Sequence, residues 1–102
     1  MFSFIETRLF SRLVQEYLTD QDYLQLQGEL IKNPEAGTVV SGSGGVRKLR
    51  WAAAGRGKRG GYRVIYYRLT DEAIFLLLAY PKSKKDNLSK AELEILKQLI
   101  QD

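Results

Sequence analysis

The chain contains no cysteine and no histidine, and only two prolines, one methionine and one tryptophan among its 102 residues. Lack of cysteine excludes a disulfide framework and any thiolate metal site. Lack of histidine removes the commonest general base, the commonest neutral metal ligand and every Ser-His or Cys-His nucleophilic pair. No long hydrophobic run is present. The longest, residues 73–80, is far short of the roughly 20 apolar residues that cross a bilayer. The first residues, Met1-Phe2-Ser3-Phe4-Ile5-Glu6, carry no basic segment followed by an apolar one, as a secretion signal would. A soluble, cytoplasmic protein without a membrane partner is expected, and the length suits one domain over residues 1–102.

Acidic residues are missing from one stretch in particular. Residues 1–36 hold six acids and three bases, residues 37–70 hold eight bases and no acid, and residues 71–102 hold six acids and five bases. The net charge of +4 therefore understates a one-sign block in the middle of a folded chain. Clustered Lys and Arg gain most from phosphates, so the block points to a polyanion partner.

The pattern of apolar residues predicts the order β-α-α-β-β-β-α. Residues 2–7 alternate as a short strand. Leu13, Val14, Tyr17 and Leu18 recur at helical spacing from Ser11, and a second helix follows Thr19-Asp20 with Tyr23, Leu26, Leu30 and Ile31 as its buried stripe. Asn33-Pro34 stops it. Residues 34–45, rich in glycine, read as a loop. In a strand over residues 46–54, Leu49 and Trp51 alternate with Lys48 and Arg50, so Trp51 is expected in the core. A turn rich in Gly and Arg, residues 55–61, leads to strands over 62–69 and 73–80 whose short connection implies an antiparallel meander. Ser89-Lys90-Ala91-Glu92 is a capping box opening a last helix with Leu93, Leu96 and Ile100 on its buried side, widened by Ile95 and Leu99. The expected fold is α+β: a small, mainly antiparallel sheet, with strand one open to parallel pairing with a later strand, and helices packed on one face.

If the strands pair as neighbours, Arg47, Lys48, Arg50, Lys58, Arg59 and Arg63 gather at one edge of the sheet, with Arg56 in the turn between them. A nucleic acid crossing there meets several cations, and Tyr62 is open either to packing or to base stacking. The sequence around Gly55-x-Gly57-Lys58 lacks the spacing of a P-loop, and Arg59 stands where Ser or Thr is needed, so an ATPase is rejected. Lys82 directly leaves a strand end. Lys84 and Lys85 read as polar loop, with Lys84 counted as an outlying RNA contact.

Three blocks, Gly44-Gly45-Val46-Arg47-Lys48-Leu49-Arg50, Gly57-Lys58-Arg59-Gly60-Gly61-Tyr62-Arg63-Val64-Ile65-Tyr66-Tyr67, and Ala79-Tyr80-Pro81-Lys82 with Leu88-Ser89, together resemble the HigB-type toxins of the RelE/ParE superfamily. The resemblance covers nearly the whole chain. It implies a ribosome-dependent endoribonuclease that cuts messenger RNA in the decoding site, needs no metal or cofactor, and is held inactive by a HigA-like antitoxin with a helix-turn-helix domain. The antitoxin is expected to bring an acidic or hydrophobic segment that covers the cationic edge or displaces the last helix.

In such enzymes the substrate's own 2′-hydroxyl attacks phosphorus. Arg63 and Arg50 would then stabilise charge on the equatorial oxygens. Lys48 or Lys58, crowded by like charges that favour a neutral amine, would take the 2′-hydroxyl proton. Lys82 would protonate or neutralise the leaving 5′-oxygen, and Arg47, Arg56, Arg59, Tyr62 and Lys84 would bind RNA. Some relatives carry a tyrosine or histidine after the last strand; Leu88 stands in that region here, leaving Tyr66 or Tyr67 as substitutes. Two other readings fit the residues: a ParE-like protein that binds DNA gyrase without nuclease activity, and an RNA-binding module without catalysis.

Overall fold

In the computed structural model the described residues are 2–52, 61–85 and 87–101. They form β1 (Ser3–Glu6), α1 (Arg8–Tyr17), α2 (Asp20–Lys32), β2 (Thr38–Val39), β3 (Arg47–Trp51), β4 (Tyr62–Thr70), β5 (Ala73–Pro81) and α3 (Lys90–Ile100).

Helix ends are set by side-chain caps. The Thr7 hydroxyl accepts from the Phe10 N–H at 2.9 Å and donates to the Leu77 carbonyl at 2.9 Å, which starts α1 and ties that start to β5. The helix thus begins at Arg8, ahead of the expected Ser11, and buries Phe10 completely. Thr19 and Asp22 form a capping box at α2, which accounts for a buried carboxylate at Asp22. Ser89 and Glu92 form the expected box at α3.

The sheet order is β1-β5-β4-β3-β2. β4 and β5 make a long antiparallel hairpin, β3 extends it antiparallel to β4, and β1 lies parallel to β5. One element was not expected. Thr38 and Val39 pair with Lys48 and Arg47 as β2, inside the segment read as loop. Two residues between glycines leave no alternation from which to recognise a strand.

The expectation that all helices share one face is overturned. Phe10 and Val14 of α1 and Leu26 and Leu30 of α2 join Leu49, Trp51, Val64, Tyr66, Ile74, Leu76 and Ala79 in one core. Leu96 of α3 joins Val46, Ile65, Leu77 and Tyr80 in a second. Since Val64 and Ile65 are neighbours on β4, their side chains point to opposite faces, so α3 covers the face that α1 and α2 do not. The cause is in the strands. β5 reads Ala-Ile-Phe-Leu-Leu-Leu-Ala-Tyr-Pro, apolar on both sides, and such a strand requires cover on both. Cover on the second side is partial: of the stripe expected on α3, only Leu96 is buried, while Ile95 stays 60% and Leu99 46% exposed. Ile31 of α2 is likewise exposed rather than buried.

Candidate nucleic-acid interface

Leu49 and Trp51 belong to the α1–α2 core. Alternation along β3 therefore turns Lys48 and Arg50 to the α3 side of the sheet, the side on which the preceding Val46 packs. Register completes the arrangement. Arg50 pairs with Arg63 of β4, and Arg63 pairs with Tyr80 of β5, so the three stand in a row across three strands. Lys48 lies one place along the same face, opposite Ile65. Arg50 is exposed, Lys48 half-buried, and Arg63 only 4% exposed. Like charges on directly opposed strand positions repel each other. Of the two, Arg50 is open to solvent and Arg63 is enclosed.

Between β5 and α3, Lys85 and Asn87 contact Tyr80 and Lys48 of this face. The Lys82 N–H donates to Gly61 O and the Lys84 N–H to Pro81 O, each at 3.0 Å, fixing the turn off the strand end. The Lys85 ammonium pairs with the Glu92 carboxylate and sits 5.2 Å from the centre of the Tyr80 ring, a cation–π distance. The lysine's hydrogen bond, followed by that of the Ser89 N–H, holds the Glu92 carboxyl below the ordinary carboxylate range. Two residues beyond Lys85, the Asn87 side-chain amide oxygen Oδ1 accepts from the Lys48 ammonium at 3.1 Å. Leu88 then packs against the α3-side core.

Of the residues singled out by sequence, the structure brings Lys48, Arg50 and Arg63 together. Lys82 and Lys84 remain exposed at the end of β5. Arg56, Lys58 and Arg59 lie outside the described residues. Arg47 and Tyr62 are on the opposite face. The Arg47 guanidinium donates to Gly37 O at 2.7 Å and Glu35 O at 3.3 Å, bracing the loop before β2. The Tyr62 hydroxyl donates to Tyr17 O at 3.0 Å and its ring packs near Tyr17 and Trp51, which accounts for it as packing.

Tyr66, one of the two substitutes for a missing acid, is fully buried on that opposite face as well. Its hydroxyl donates to Pro34 O and accepts from the Gly37 N–H, both at 2.9 Å, and burial pushes its pKa up. Tyr67 does face the α3 side, but packs there beside Gly45 and in the core that takes Ile100.

Sequence reasoning missed Tyr80, Lys85 and Asn87. Tyr80 sat in a quoted block without a role. The capping box at Ser89 does carry a signal: it leaves only residues 82–89 to connect the strand end to α3. Nothing local identifies Asn87 as the partner of a residue 39 positions earlier.

Fold and surface together define the class: a small α+β protein whose sheet carries Lys48, Arg50 and Arg63 on one face. Residues 4–102 match the family described as "RelE toxin of RelE / RelB toxin-antitoxin system". The chain belongs to that family, and is a RelE-family toxin of a type II toxin–antitoxin system with a cognate antitoxin as partner. Among the described residues no helix is long and apolar enough to cross a membrane.

Proposed function

We propose that this toxin is a ribosome-dependent endoribonuclease that cuts messenger RNA in the decoding site, as a single domain of the HigB type, restrained by a HigA-like antitoxin with a helix-turn-helix domain. This reading puts its action in the cytoplasm, where ribosomes are.

The observation that carries the proposal is the Arg50–Arg63–Tyr80 row with Lys48 beside it. In-line attack by the 2′-oxygen on phosphorus forms a 2′,3′-cyclic phosphate and breaks the bond to the 5′-oxygen. Negative charge on the equatorial oxygens rises as it does so. Arg63, fixed below the surface, is set before the reaction begins and stabilises that charge without reorganising, the condition under which such groups act most strongly. Arg50, exposed, supplies the grip on the phosphate chain. Lys48 is the candidate base for the 2′-hydroxyl within the described residues, and a lysine near the strand end, Lys82, the candidate for the leaving oxygen. Lys58, Arg56, Arg59 and Lys84 remain proposed contacts on charge alone.

The test is controlled expression of wild type and Arg63→Gln, with primer extension on a reporter message. Codon-phased cuts from wild type and an intact message from the variant are expected, with cleavage lowered on the order of a hundredfold or more. Growth arrest with intact message from both would instead favour a gyrase-directed toxin.

A further inference from the structure

The proposed base and clamp, Lys48, has an electrostatic difficulty. It shares a sheet face with Arg50 on its own strand and Arg63 on the next, and a flexible four-carbon side chain in that company swings away from its like-charged neighbours into water. One contact opposes this: the 3.1 Å hydrogen bond from the Lys48 ammonium to Asn87. An ammonium has only donors, so only the amide's oxygen can face it. That oxygen is neutral. A carboxylate in its place would hold the lysine equally well but cancel the charge a phosphate needs, whereas an amide anchors the cation and leaves its charge intact.

Asn87 is itself well placed to act as an anchor, because the chain is secured on both sides of it. Before it, Lys85 is held by Glu92 and by the Tyr80 ring. After it, Leu88 is packed in the α3-side core and Ser89 is engaged in the capping box. An exposed asparagine between two fixed points presents its oxygen in one place.

We propose that Asn87 is a positioning residue that holds the Lys48 ammonium beside the Arg50–Arg63 pair, ready for the RNA backbone. This rests on the nuclease reading above and adds to it the residue through which the segment between β5 and α3 enters the reaction.

The experiment uses the full chain with ribosomes programmed with a short message, comparing wild type, Asn87→Ala, Lys48→Met and the double variant in single-turnover cleavage at increasing ribosome concentration. Asn87→Ala should lower the maximal rate roughly tenfold to a hundredfold, as misplacement of a reacting group does, with half-saturation little changed. In the Lys48→Met background the same substitution should cost nothing more, because its route to the reaction is gone. Relaxation measurements on the Lys48 side chain by NMR, made without RNA, should show it ordered in wild type and mobile in Asn87→Ala. Asn87→Asp should keep Lys48 ordered while weakening ribosome binding, since it adds a negative charge at the site.

Losses that multiply in the double variant, an undiminished rate in Asn87→Ala, or a Lys48 side chain equally mobile in both proteins would overturn the proposal. Wild-type protein that leaves programmed ribosomes uncut would refute the nuclease reading instead, and the NMR comparison would still decide whether Asn87 holds Lys48.

Discussion

At the scale of single residues, the two arginines of the cross-strand pair differ in burial, and this assigns them different work. Arg50 is exposed and Arg63 enclosed; on the proposed nuclease reading the first meets RNA as a mobile cation and the second acts through a fixed field. Arg50→Gln is therefore expected to raise the half-saturating ribosome concentration more than it lowers the maximal rate, and Arg63→Gln to do the reverse; single-turnover kinetics separate the two. Tyr66 illustrates a residue of the same strand with a purely structural task. Its hydroxyl satisfies one donor and one acceptor of the loop before β2, and its ring lies where a Cβ on Gly37 would come within 2.9 Å. Tyr66→Phe leaves both backbone groups without that partner, and should lower stability by about 1–3 kcal/mol in denaturant melts while leaving cleavage unchanged.

At the scale of elements, the N-terminus of α3 joins capping, the Lys85–Glu92 pair and the segment bearing Asn87 into one unit. Glu92 titrates below its ordinary 4.5 in the folded protein. Its folded form thus binds protons less readily than the unfolded chain, so its contribution is complete above pH 4.5 and is lost as pH falls through the lower folded value. Amide protection factors in residues 89–93, taken relative to intrinsic exchange at each pH, should fall over that acid window, and Glu92→Gln should abolish that fall by removing the titrating group. Ser89→Ala, which deletes the other half of the box, is expected to cost about 1 kcal/mol of stability. The capping box was legible as a four-residue pattern, because its geometry is local. The two-residue β2 was not, because Thr38 and Val39 become a strand only through pairing with Lys48 and Arg47.

At the scale of the whole molecule, three bases of the acid-free central block share the sheet face away from α1 and α2. The acid-rich residues 1–36 build the helices on one face, and Lys48, Arg50 and Arg63 lie on the other. On the proposed nuclease reading, Lys48, Arg50 and Arg63 draw the RNA backbone to that face. Ribosome affinity should fall steeply between about 50 and 200 mM salt. Arg50→Gln should reduce the slope of log affinity against log salt by about one, the loss expected for a single phosphate contact. Titrations of binding at several salt concentrations check both values. A slope unchanged in Arg50→Gln would remove that residue from the RNA contacts.

The sequence by itself determined the type of every element but β2, the caps of α2 and α3, the core role of Leu49 and Trp51, and the pairing of a basic β3 with a basic start of β4. Each depends on a local period or on short connections, and both survive folding unchanged. It also held the resemblance that the family match extends across residues 4–102. The tertiary structure alone decided which face each element uses. Arg47 and Tyr62 were grouped with the cations in sequence, yet register and alternation send them to the α1–α2 side, where backbone carbonyls take their donors. α3 was expected beside the other helices, but strands apolar on both faces demand a second cover. Lys85 looked like solvated loop, yet it pairs with Glu92 and lies over the Tyr80 ring; Asn87 meets Lys48, 39 positions earlier, only because the fold brings the two within hydrogen-bonding distance. Periodicity specifies how side chains alternate along an element, whereas contact across a sheet depends on register, and register is set by the packing of the whole chain.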